Sequence, residues 1–403
     1  MQSVDSYLAE IAASVHPLPP RDLSLAEAEG GVLAADVLAT GPLPPFDNSA
    51  MDGYAVRAAD VAGATPGRPV TLPVAGEIAA GDTRDHQLAA GTCLRIMTGA
   101  ALPPGADAVV QVELTDGGTR QVAIYEAVAV GTAVRRAGGD VTPGDLLLAA
   151  GATLGPIEVG LLAAGGRGSV LARPRPRVAV ISTGNELAEP GTPLARGQIW
   201  ESNGVMLAAA ARAAGALAYR PPVIPDDTAK VLAAVEEQLE HADLLLTSGG
   251  VSMGGEHDVV KAALQTLGTV GFRKIAMQPG MPQGFGLLGA SRTPILTLPG
   301  NPVSAFVSFH IFGRAVLRAL GGATGPGPWR TRARLTHPLR SPAGKRSFLR
   351  GILLPGGSEV TPLSGQASHQ LATLARANVL IIVREPVTVM NAGDLADVMF
   401  IHD

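Results

Sequence analysis

The feature that most constrains this chain is the alternation between residues 177 and 321. The apolar runs RVAVIST, ALAYRPPVI, DLLLTSGG, VGFRKIA and PILTLPG are mostly separated by stretches with helical spacing. Those stretches are ESNGVMLAAAARAAG, DDTAKVLAAVEEQLEHA and HDVVKAALQTLG, with PVSAFVSFHIFGRAVLRAL closing the series. Apolar strands divided by helices of roughly ten or more residues predict a mainly parallel, doubly wound α/β sheet. In such a sheet ligands bind outside the carboxyl ends of the strands.

Three loops at those ends carry glycine and hydroxyl groups: STGNEL (182–187), TSGGVSMGGEHD (247–258) and LPGNPVS (298–304). Each can turn backbone N–H groups toward an anion at a helix N-terminus. None matches a dinucleotide G-x-G-x-x-G fingerprint or a Walker A loop. Singly, each is equally a turn, because Gly and Pro punctuate all loops. Three on one edge point to a phosphate-bearing ligand. Glu186 and Asp258 lie within these loops, and Asp226 and Asp227 follow the second strand. Carboxylates beside a phosphate suit Mg²⁺, a hard ion that prefers oxygen ligands. Asp226 and Asp227 read equally as the N-cap of the next helix, and Glu186 as a solvated charge.

Helical spacing covers 3–14, and 24–36 reads as a helix opened by a Ser24–Glu27 capping box. From 43 to 140 short alternating runs broken by Gly, Pro and Asp predict a β module, and helical character returns at 155–165. ARPRPRV (172–178) and GGATGPGPW (321–329) are boundaries, and the segments beyond the second read as a C-terminal β domain. The predicted organisation is therefore multidomain, α/β plus β: a discontinuous helical domain (1–42 and 141–173), an inserted β domain (43–140), an α/β domain (174–322) and a C-terminal β domain (328–403). MQPGMPQGFG (277–286), dense in Pro and Gly and uncharged, reads as a loop. Asp52-Gly53 in FDNSAMDGYA reads as a hairpin turn, Thr98 in RIMTGA as a turn cap, and Arg350 and Ser368-His369 as surface groups. Cys93 reads as a buried small hydrophobe.

The net charge of −4 gives no electrostatic case for nucleic acid or for an anionic membrane surface. The single cysteine excludes a disulfide framework and a multi-cysteine metal site, and fits a reducing cytoplasm. The N-terminus lacks the basic region and long apolar core of a secretory leader. No uncharged apolar run of about 18 residues predicts a membrane span.

Together FDNSAMDGYAVR, RIMTGA, RRAGGDV, VAVISTGNEL, DLLLTSGGVSMGGEHD, LPGNPVSA and GQASH resemble, in order, one family: the molybdopterin molybdenumtransferases, that is, the bacterial MoeA proteins and the E domain of gephyrin. The resemblance implies a four-part chain in an elongated homodimer, with each site built from the molybdopterin-binding α/β domain of one subunit and other domains of its partner. It implies insertion of molybdate into adenylylated molybdopterin, with Mg²⁺ required and AMP released. By motif, Asp52, Thr98 and Asp140 match functional positions of the N-terminal half. Glu186, Asp226 and Asp258 match catalytic and metal-holding acids. Ser182, Thr183, Gly184, Ser248, Gly249, Gly250, Ser252, Lys274, Pro299, Gly300, Asn301 and Pro302 match the molybdopterin and nucleotide site. Pro282, Ser304, Arg350 and Ser368 match an oxyanion pocket for molybdate.

One departure stands out. Many family members carry lysines in a K-P-G-K-P loop, where this chain has Gln278-Pro279-Gly280-Met281-Pro282. Lys274 and Arg350 remain as the nearest candidate cations. Charge-assisted hydrogen bonds are roughly twice as strong as neutral ones, so losing both charges weakens molybdate capture by about 2–4 kcal/mol if nothing compensates. The first reading is thus a cofactor-maturing transferase, with the molybdopterin adenylyltransferase or a molybdoenzyme as possible partners. The second is a gephyrin-like dimeric scaffold that holds a partner's peptide on the uncharged loop with Met281 and Phe285. A third, the molybdopterin adenylyltransferase itself, lacks the N- and C-terminal domains found here.

Overall fold

Ser3 opens the first helix, Val4–Ser14, and its side chain accepts from Ser6 N. The predicted capping box also forms, with Ser24 accepting from Glu27 N and Glu27 reaching back to Ser24 N. That helix runs only from Leu25 to Ala28, however, not to residue 36. The glycine pair behind it is the reason. Gly30 takes φ +76°, and a Cβ on Gly31 would stand 2.5 Å from Arg173 O. The chain there leaves the helix and becomes a short strand, Val32–Leu33, paired with Ser169–Arg173.

The computed structural model describes residues 1–249, 259–323 and 330–401. The chain divides into a larger unit (Met1–Ala34, Gly151–Leu154 and Val170–Asp403) and a smaller one (Ala35–Ala150 and Gly155–Ser169).

At the centre of the larger unit is a six-stranded sheet in the order Leu217–Tyr219, Arg177–Ser182, Leu244–Ser248, Thr293–Leu298, Pro282–Leu288, Gly268–Lys274. The first four strands are parallel, as predicted, and the last two form an antiparallel edge. The sheet is buried on both faces. Val178, Val180, Leu244, Leu246 and Leu296 join a core with residues of helices Val4–Ser14, Asn203–Ala213 and Pro302–Ser308. Ala179, Ile181, Leu245 and Ile295 pack against helices Thr228–Leu239 and Val259–Leu267. The helical run Pro302–Gly321, with a π turn at Phe309–Gly313, is long and apolar enough to cross a membrane but is mostly buried, as a core helix is.

The expected loop 277–286 is mostly strand. Met277–Gln278 and Pro282–Leu288 are both paired, and only residues 279–281 turn the chain. The glycines that suggested a loop allow close approach instead. A Cβ on Gly284 would stand 1.8 Å from Thr297 Oγ1, and one on Gly286 2.4 Å from Thr269 O.

Beyond the second boundary, strands Arg330–Leu335, Glu359–Pro362, Arg346–Leu353, Val379–Val383 and Leu395–Phe400 pair in a closed ring around Leu335, Leu349, Val360, Ile381 and Val398. Closure pairs each strand of the ring with two neighbours over part of its length. Met277–Gln278 adds a short parallel strand alongside Arg346–Ser347. The smaller unit holds the predicted β module, a five-stranded sheet ordered Ala108–Gln111, Gly53–Val56, Cys93–Ile96, Val70–Ile78, Gln121–Ile124. It also holds the helix Pro156–Ala164. Cys93 is buried, as expected.

Candidate functional site

Register places the loops of interest in one row. Ser182 pairs with Ser248, and Ser248 with Leu298, so the three strands end together at the carboxyl edge. Thr183 continues the row by bridging to Ile224. Gly249 takes φ +97° and donates its N–H to Leu298 O at 3.0 Å. A Cβ on Gly300 would lie 3.9 Å from Gly249 Cα, so the second and third loops touch. Pro302 opens the helix after the third loop, and the Asn301 side chain makes no cap bond to it. Ser182, Thr183, Gly184, Ser248, Gly249, Pro299, Gly300, Asn301 and Pro302 therefore gather on one edge. Gly250, Ser252 and Asp258 lie outside the described residues.

The acids separate by role. Asp227 accepts from Ala229 N and Lys230 N at 2.9 and 3.1 Å, so it is the helix cap. Asp226 instead exchanges bonds with Asn185 across the first loop: its Oδ2 accepts from Asn185 N, and its own N–H donates to Asn185 Oδ1, both at 3.2 Å. Glu186 is the next residue, and its carboxylate lies against Gly184, where a Cβ would meet Oε2 at 2.5 Å. Two carboxylates thus flank the first loop. Among the described residues no group of three or more His, Cys, Asp or Glu is placed to hold a metal.

A second feature sits on the ring of C-terminal strands. Arg350 is 0% exposed, which corrects its reading as a surface group. Strand alternation puts it on the Phe348 face, toward the α/β core, instead of the Leu349 face inside the ring. Its Nη2 donates to Gly365 O at 2.6 Å and Ala367 O at 3.3 Å, while Nε and Nη1 are buried without a partner among the described residues. Burial lowers its pKa from the usual guanidinium value. Main-chain bonds bring the predicted neighbours close: Ser368 O accepts from Val303 N at 3.0 Å, and the buried Ser304 follows. Pro282 stands across from the exposed Lys274 in the edge hairpin.

The short loop is held by its backbone. Ile275 N donates to Met281 O at 2.7 Å, and Gln278 pairs with Ser347. Gln283, buried in the adjoining strand, donates Nε2 to Gly280 O and to Ser308 Oγ, both at 2.6 Å. Gln278 is exposed and Met281 half-buried.

In the smaller unit Asp52 Oδ1 accepts from Thr98 N at 2.6 Å and from Thr98 Oγ1 at 2.7 Å. These bonds, the backbone one first, hold its pKa below the usual 3.8. Asp140 is exposed and donates its N–H to Leu43 O.

Two residues escaped the sequence reading. Asn203 opens its helix and donates Nδ2 to Ser248 Oγ at 2.7 Å and Gly300 O at 2.6 Å, with Oδ1 buried and unpartnered. Glu201 is buried and accepts from Gly204 N at 2.6 Å. The available signal was the run Glu201-Ser202-Asn203, polar residues bunched at a helix start on the ligand edge.

Residues 2–166 match the MoeA N-terminal region (domain I and II), 179–319 a probable molybdopterin binding domain, and 332–401 the MoeA C-terminal region (domain IV). Molybdopterin molybdenumtransferase 2 of Mycobacterium tuberculosis is 48% identical over 401 residues, 98% of each chain. Molybdopterin molybdenumtransferase 1 of the same organism is 40% identical over 424 residues, covering 100% of this chain and 99% of its own. A crystal structure of a molybdopterin biosynthesis MoeA protein from Pyrococcus horikosii superposes with a TM-score of 0.75 at 31% identity, over 100% of this chain and 99% of its own.

Proposed function

This chain belongs to the molybdopterin molybdenumtransferase family, and from that premise we propose that it inserts molybdate into adenylylated molybdopterin, with Mg²⁺ required and AMP released. The observation that carries the reading is Arg350. A buried guanidinium with no acidic partner among the described residues and two unpartnered nitrogens is costly unless an anion completes it. A tetrahedral oxyanion seated between Arg350, Ser304 and Ser368 supplies that partner, with Pro282 at the edge of the pocket. The carboxyl-edge loops hold the pterin phosphate and nucleotide, Ser248 and Gly249 through their backbones, with Asn301 and Pro302 close by and Lys274 at the rim.

The first-loop carboxylates fit Mg²⁺, which is commonly held by one or two carboxylates together with substrate phosphates. Glu186 and Asp226 would hold it, with Asp258 as the third acid, and the ion supplies charge neutralisation at the phosphoanhydride. Asp52, which accepts two hydrogen bonds from Thr98, and Asp140 serve the same reaction, in a cytoplasmic homodimer.

The scaffold alternative has weaker support. Phe285, one of the two apolar side chains offered to a peptide, is 6% exposed inside the sheet core, and only Met281 is partly accessible.

The test is cofactor synthesis by the purified protein from adenylylated molybdopterin, molybdate and Mg²⁺. Product formation supports the reading. No product at millimolar molybdate, with the pterin ligand still bound, overturns it.

A further inference from the structure

We propose that Asn203 is a positioning residue: one side-chain amide that sets the spacing between the two phosphate-facing loops. The inference rests on the carboxyl edge being the ligand site, as proposed above.

The Asn203 amide nitrogen reaches an acceptor on each loop, Ser248 Oγ at 2.7 Å and Gly300 O at 2.6 Å. The orientation of the amide is fixed by chemistry. Gly300 O only accepts, so a flipped amide would set carbonyl against carbonyl. Asn203 Oδ1 is therefore the atom left buried and unpartnered.

A strap works only if its own anchor is rigid, and this one is. Glu201, 1% exposed, accepts from Gly204 N at 2.6 Å and fixes the first turn of the helix. Arg220 lies 3.7 Å from Glu201 and is itself held by Glu189 at 2.9 and 2.6 Å. Gly204 has no room for a side chain, since a Cβ there would stand 2.6 Å from Ser182 Oγ. The helix start is thus pressed against the end of the first strand while its first side chain ties the second and third loops. The end of the first strand, Ser248 and Gly300 thus all meet one helix terminus.

The strap holds loops and touches no reacting atom, so its loss acts on binding. Each of the two bonds has the strength of an ordinary neutral hydrogen bond, so losing both raises the dissociation constant by up to about thirtyfold.

The experiment compares the wild-type chain with Asn203→Ala and Asn203→Asp in two arms. The first measures calorimetric binding of adenylylated molybdopterin and the KM and kcat of synthesis for Asn203→Ala. The expected result is a raised Kd and KM with kcat changed far less. The second measures amide exchange at Gly249 without ligand, in both variants. Asp keeps the shape but cannot donate and sets an oxygen against Gly300 O, so exchange at Gly249 quickens more than elsewhere in the larger unit. Wild-type Kd together with wild-type exchange at Gly249 overturns the proposal. A fall in melting temperature with exchange raised evenly across the larger unit, and KM unmoved, also overturns it in favour of a purely structural role. Failure of the wild-type chain to bind the ligand would instead count against the function proposed above, and the exchange arm then decides the strap alone.

Discussion

At the residue scale the molecule turns on a few buried polar atoms without partners among the described residues. Arg350 shows why such atoms escape a reading of sequence. FLRG looks like a surface stretch, because arginine is seldom buried. The alternation of Phe348 and Arg350 along one strand face was legible; what covers that face was not, because it comes from segments distant in sequence. Asp226 and Asp227 illustrate the converse. Either can cap a helix on paper, and only the hydrogen bonds separate the cap from the acid beside Asn185. The missing lysines give a direct prediction. Gln278 is exposed, so a lysine there is screened and contributes little. Met281 is half-buried, and a lysine there contributes more. The double change Gln278→Lys with Met281→Lys should lower the molybdate needed for half-maximal synthesis about tenfold, most of it from position 281. Titrating synthesis against molybdate checks this, and an unchanged curve would show that the loop charge is irrelevant to capture.

At the element scale the parallel strands were the easiest part to read, because strands buried on both faces spell continuous apolar runs. The errors came from glycine. It reads as punctuation in QGFG, where it makes room, and lies within the helical reading of 24–36 in EGGVL, where it ends the helix. A test separates the two uses of glycine. Gly284→Ala places a methyl group 1.8 Å from Thr297 Oγ1, in a strand with no freedom to shift. It should destabilise the larger unit by about 1–3 kcal/mol, read from the denaturant midpoint. Adding Thr297→Ala should return part of that loss, since the two positions share one contact. Full additivity of the two changes would contradict the packing described.

At the scale of the whole molecule the β module, the α/β sheet and the C-terminal ring were each legible, because each has its own texture of periodicity and turns. Two apolar clusters of the smaller unit draw only on residues between Tyr54 and Val134. A unit with its own core unfolds as its own cooperative block. Scanning calorimetry should therefore resolve at least two transitions. A single transition, with calorimetric and van't Hoff enthalpies equal, would show the units to be one cooperative body.

The turn at 279–281 has a consequence for how such proteins diversify. Its path is fixed by main-chain bonds from Ile275 to Met281, by the pairing of Gln278 with Ser347, and by the buried Gln283. None of these uses the side chain of residue 278 or 281. The rim of the proposed oxyanion pocket is therefore a modular fitting. Natural selection can exchange its charge, and with it the preferred anion or its working concentration, without rebuilding the frame that carries it.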